Sequence, residues 1–285
     1  MNKKVLKLGV FMGVIAIISV KVMSMTNIVE IEELEDTNGI GEVVPLNYHY
    51  IRERNVWNKG IEVLTHDKEL TTYNVYEDEF QRQIDSLIEQ DVYFATLEQV
   101  NYFREIGKFP EKCVWISFDD ADVSVYERAY PILKEKGIPF TMFVIAGQVG
   151  NDDFNNLKIC SWDQLREMRD SGLVSFGSHT YDMHYLEEGK AVFLHQHNYQ
   201  EFAEDIKKSK QVLEKELQVE ITSIAYPFGE VSSDIVELVK DAGYKSGYIL
   251  APEPINEESG AYYQSRYLIS ENCFKQLKMD KLGNK

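Results

Sequence analysis

From Val43 onward, short apolar runs alternate with amphipathic helical segments about seven times, an order that few folds accept. Cys113–Phe118 (C-V-W-I-S-F) is the clearest run: continuous, apolar, and of the length of a strand buried on both faces. Val43–Tyr48, Val92–Thr96, Phe140–Ile145, Leu173–Ser178, Ser223–Tyr226 and Ser246–Leu250 repeat the signal. Between them, Phe80, Ile84, Leu87 and Ile88 sit at helical spacing within Tyr76–Gln90, and Tyr199–Leu217 is a long amphipathic helix. Further helices are expected over Leu97–Ile106, Val123–Lys136 with Gly137 as its stop, Ser161–Ser171 with Ser161 as its cap, and Ser233–Asp241. The alternation predicts an α/β fold with parallel strands, and the number of units favours a distorted (β/α) barrel of about seven strands over an open sheet. Residues 42–285 read as one domain, with long loops expected over 147–160 and 181–200.

The first 25 residues do not share this pattern. Lys3, Lys4 and Lys7 precede an uncharged run from Leu8 to Val20, the make-up of a signal peptide. The run falls short of the about 18–20 residues that span a bilayer. Lys21 interrupts it and no A-x-A site follows, so an uncleaved anchor reaching Met25 is the alternative. Residues 26–41 are rich in acid (Glu30, Glu32, Glu33, Glu35, Asp36) and read as a linker. Either reading places the domain outside the cytoplasm, secreted or held at the cell surface through the N-terminus. A net charge of −17 argues against nucleic acid as a partner. Cys113, Cys160 and Cys273 match no zinc or redox spacing.

Three strand ends carry polar chemistry. Ser117-Phe118-Asp119-Asp120 closes the buried run with two carboxylates, which burial disfavours unless a cation offsets them. A helix cap is the bland alternative, and Asp122 alone would serve it. Ser178-His179-Thr180-Tyr181-Asp182-Met183-His184 places two imidazoles five residues apart across a loop, where both can reach one ion. With one carboxylate they make a His₂Asp set suited to a divalent first-row metal, or else they are ordinary loop histidines. Ala225-Tyr226-Pro227-Phe228-Gly229 runs from a strand into a turn that can aim an amide N–H into a cleft, or be a plain turn. His195 and His197 are read as loop histidines, and His66 carries no motif.

In this order the pieces resemble the polysaccharide deacetylases, the family 4 carbohydrate esterases, from Val43 to about Ser270. They most resemble its intercellular adhesin biosynthesis subgroup, which acts on poly-β-1,6-N-acetyl-D-glucosamine in biofilm exopolysaccharide. The resemblance implies a NodB-like barrel and a monomeric hydrolase of non-peptide C–N amide bonds that releases acetate. A peptidoglycan or chitin-type deacetylase is the alternative. The resemblance implies Asp119 as base, Asp120, His179 and His184 as ligands of a divalent metal (Zn2+, with Co2+ or Ni2+ as alternatives), and the Phe228 amide as oxyanion donor. Ala225 stands where the family motif has Arg, and Arg266 is expected to replace it. No His follows His197, so the general acid is expected at His49, ending the first strand.

Overall fold

A computed structural model describes residues 41–54 and 73–280. The targeting segment, the linker apart from Gly41, and His66 lie outside the described residues. The strands are β1 (Val43–Tyr48), β2 (Tyr50–Arg52), β3 (Asn74–Tyr76), β4 (Tyr93–Ala95), β5 (Cys113–Phe118), β6 (Phe140–Val144), β7 (Val174–Ser178), β8 (Leu186–Glu187), β9 (Lys190–Ala191), β10 (Ser223–Ala225), β11 (Ser246–Tyr248) and β12 (Tyr267–Leu268). The helices are α1 (Glu77–Glu89), α2 (Leu97–Ile106), α3 (Tyr130–Lys136), α4 (Trp162–Asp170), α5 (Tyr199–Leu217), α6 (Ser233–Asp241) and α7 (Glu271–Asp280).

The main sheet runs β11-β10-β7-β6-β5-β1-β12, with every neighbour parallel. It curls into a half-barrel with helices around it, as the alternation predicts. β4 joins β5 beside its first half, at Tyr93↔Cys113 to Ala95↔Trp115, and β6 joins beside its end, at Ser117↔Thr141. One segment ties the two sheet edges together. Gln264 N–H donates to Gly247 C=O at 3.0 Å and Ile249 N–H to Gln264 C=O at 2.9 Å, and three residues later β12 lies against β1. Arg266 is carried by that segment. Pro45 fits inside β1 because Val43, on the same edge, pairs with Ile255, and β12 begins only opposite Leu46. Its missing N–H therefore falls in the gap between the two partners.

Alternation along the strands sorts two apolar layers. Trp115, Phe143, Ala225 and Tyr248 pack with Leu97, Val100 and Phe103 of α2, and Trp115 Nε1 donates to Thr141 Oγ1 at 2.9 Å. The opposite faces (Val114, Ile116, Phe118, Phe140, Met142) pack with the outer helices. At about 25 cal/mol per Å² of buried apolar surface, these layers supply the main stabilisation of the frame. Ser161 caps α4 in a reciprocal box with Gln164. The helix expected over Val123–Lys136 differs from expectation: Val125–Ala129 is a π turn leading into α3. Tyr130 N–H reaches Val125 C=O, five residues back, and Pro131 cannot offer a hydrogen bond to Glu127 and would clash there. Within the two expected loops lie 3-10 turns and the β8–β9 hairpin.

Candidate active site

Three strand ends meet through the same local device. After β5, Asp120 and Ala121 have φ +68° and +65°; after β7, Thr180 has +73°; after β10, Phe228 has +61°. Left-handed φ at non-glycine residues costs on the order of 1–3 kcal/mol each and persists only where the surroundings enforce it. At Asp120 the turn breaks the strand alternation that would send neighbouring side chains to opposite faces. After Phe228, Gly229 also has positive φ (+71°), and a Cβ there would lie 2.5 Å from the Leu250 Cβ.

Asp120, His179 and His184 present one donor atom each, all within 4.8 Å of one another. Asp120 Oδ1 is 3.5 Å from His179 Nε2 and 3.3 Å from His184 Nε2. This oxygen is buried and has no hydrogen-bond partner, while Oδ2 accepts from the Tyr50 hydroxyl at 3.0 Å. His179 Nδ1 lies 2.8 Å from the Ala225 C=O, so Nδ1 carries the proton and donates, and Nε2 turns its lone pair to Asp120. Burial lowers the His179 pKa to about 4, with Asp119 opposing the shift. A neutral imidazole with an oriented lone pair beside an orphaned carboxylate oxygen is the donor chemistry a divalent ion needs. The residues fit such an ion.

Asp119 faces Arg266. The Arg266 Nη1 and Nη2 donate to Asp119 Oδ1 and Oδ2 at 2.6 and 2.9 Å, and both residues are buried. Burial raises the Asp119 pKa, but the charges of Arg266, His179 and His49 outweigh it and hold the carboxyl well below its usual range. His49 Nε2 is 3.9 Å from Asp119 Oδ2, with the ring against Tyr73. Burial lowers its pKa, while Asp119 and Asp120 pull the other way. The Phe228 ring lies 4.8 Å from that of His184. The seven residues named from the sequence thus converge on one end of the half-barrel. His195 and His197 do not join them: both face Glu187 of β8, with Nε2 to Oε2 distances of 3.9 and 3.5 Å.

Sequence reasoning missed Tyr50 and Asp205. Tyr50 sits one residue beyond His49, and Arg52 stacks over its ring while pairing with Asp122 at 2.8 Å. Asp122 also accepts from the Ser124 N–H at 2.9 Å, which is the capping role open to it. The signal for Asp205 was faint: an acid on the face of α5 that buries Phe202, Ile206 and Leu213.

The polysaccharide deacetylase family model matches residues 106–247. The chain is 39% identical over 232 residues to the poly-β-1,6-N-acetyl-D-glucosamine N-deacetylase of Staphylococcus aureus (strain MRSA252), covering 81% of this chain and 80% of that protein. It is 37% identical over 233 residues to the enzyme of the same name from Staphylococcus epidermidis, with the same coverage. Among solved structures, IcaB from Ammonifex degensii superposes with a TM-score of 0.73 at 32% identity, over 83% of this chain and 95% of that one. Long-range identity of this order, over a frame that gathers the motif residues, has one reading: the chain belongs to the polysaccharide deacetylase family and is a hydrolase.

Proposed function

We propose that the protein removes N-acetyl groups from a β-1,6-linked N-acetylglucosamine polymer, consuming water and releasing acetate and a free amine. The observation that carries the reading is the bidentate Arg266–Asp119 pair beside the Asp120, His179 and His184 donor set, with His49 Nε2 3.9 Å from Asp119 Oδ2. The names of the Staphylococcus relatives support the choice of polymer.

Asp120, His179 and His184 would hold the divalent ion, which we take to be Zn2+. When bound, such an ion polarises an acyl oxygen and acidifies water, so that even a weak base suffices. Asp119 is that base: Arg266 keeps it anionic and fixes both oxygens, and it accepts the proton of the attacking water. The Phe228 N–H stabilises the developing oxyanion; one such donor is worth about 3 kcal/mol. His49 delivers a proton to the departing nitrogen, since an amine leaves poorly without one. Its lowered pKa makes the imidazolium a readier proton donor than a free one, and the nearby carboxylates favour its formation.

We place the domain outside the cytoplasm, attached through the basic and apolar N-terminus. No helix among the described residues is long and apolar enough to cross a membrane. Acetate release from β-1,6- and β-1,4-linked N-acetylglucosamine oligomers tests the reading. Faster release from the β-1,6 series supports it, and preference for β-1,4 chains replaces it with a peptidoglycan or chitin-type substrate.

A further inference from the structure

The segment from Thr180 to Met183 lies between the two imidazoles, yet its backbone is held from outside. On one side, the Ala146 and Gly147 N–H groups donate to the Thr180 and Tyr181 C=O at 3.1 and 2.7 Å. That approach is close enough that a Cβ on Gly147 would lie 2.5 Å from the Tyr181 oxygen. On the other side, α5 presents Asp205 and Ser209 one turn apart. Asp205 Oδ2 accepts the Tyr181 N–H at 2.7 Å and Oδ1 accepts the Asp182 N–H at 2.8 Å. Ser209 Oγ donates to Thr180 C=O at 3.1 Å and lies 2.7 Å from Ser178 Oγ. Two successive N–H groups pointing the same way need two acceptor oxygens at fixed separation, which a carboxylate supplies. An amide can take one of them but sets its own NH₂ against the other. Asp205 is buried for this task and sits among the apolar residues of α5.

We propose that Asp205 is a positioning residue for the metal centre: by gripping the Tyr181 and Asp182 amides it fixes the loop that spaces His179 from His184, and so sets the affinity for the ion. The inference rests on His179 and His184 being ligands. The strained φ of Thr180 supports it, because a left-handed threonine relaxes unless its neighbours are pinned on both sides. Groups that orient metal ligands from outside the coordination shell commonly govern affinity by about 10–100-fold.

The test uses the full chain and Zn2+, in competition with a chromophoric chelator at neutral pH. Asp205→Asn should bind Zn2+ about 10–100-fold more weakly than the wild type, with the metal-free variant still folded by circular dichroism. Wild-type affinity in Asp205→Asn overturns the proposal. His179→Ala separates the two readings: if it also keeps Zn2+, the ligand assignment falls, and if it alone loses Zn2+, only the positioning role of Asp205 falls. Should Asp205→Asn not fold, hydrogen exchange on the wild type decides. The Tyr181 and Asp182 amides should be protected and become more so with Zn2+, by linkage. Exchange of both amides unchanged by Zn2+ overturns the proposal.

Discussion

Arg266 and Asp119 stand 147 residues apart and meet in a buried, bidentate ion pair at 2.6 and 2.9 Å. The pair joins the segment that ties the sheet edges to the end of β5, so it serves the frame and the site together. Removing one partner strands a buried charge, which costs about 3–5 kcal/mol. Arg266→Ala should lose stability of that order in chemical denaturation. The double variant with Asp119→Ala should recover part of the loss, because no uncompensated charge remains. Additive losses would show that the two side chains act independently.

Asp119→Asn should keep its metal and lose turnover by about 10²–10⁴-fold, the usual cost of removing a general base. Elemental analysis of the purified variant and acetate release together check this. Loss of metal in Asp119→Asn with retention in Asp120→Asn would reverse the two roles.

His49→Ala should depress kcat on an N-acetylglucosamine oligomer far more than on an activated acetyl ester, whose leaving group needs no proton. Metal content should not change. An equal loss on both substrates would assign His49 to binding or to packing against Tyr73, and not to proton delivery.

Asp205 gives the fold a pH signature. Burial pushes its pKa up to about 6, opposed by the Tyr181, Asp182 and Met183 N–H groups and reinforced by the Asp182 carboxylate, and its charge is felt at the Tyr185 and Tyr244 hydroxyls. The unfolded value is near 3.8. A raised folded pKa contributes stability that is full below about pH 4 and lost as pH rises through about 6, roughly 3 kcal/mol for a shift of this size. In metal-free protein, the wild type should therefore gain on Asp205→Asn as pH falls from 7 to 4. Parallel stability curves for the two would contradict this.

The regular elements were legible because burial writes period and composition into the chain: Cys113–Phe118 is apolar but for Ser117 since both of its faces are covered. Asp119-Asp120 and His179…His184 were legible because each lies directly after such a run. What joins them was not. Arg266 was reached only through the family resemblance, because it precedes a strand of two residues, too short to show a pattern. Tyr50 reaches Asp120 only because β2 turns away from β1 after His49, and Asp205 reads as one more polar residue until α5 is seen against the histidine loop. The π turn at Val125–Ala129 hides inside a helical periodicity that Pro131 alone disturbs.

Acetate released from a β-1,6-linked N-acetylglucosamine pentamer, measured before chelation, after it and after Zn2+ is restored, tests the central claim most directly. The account predicts turnover that falls to background when the metal is stripped and returns when Zn2+ is added. Acetate release that persists in protein shown by elemental analysis to be metal-free, or shortening of the pentamer without acetate, would contradict it.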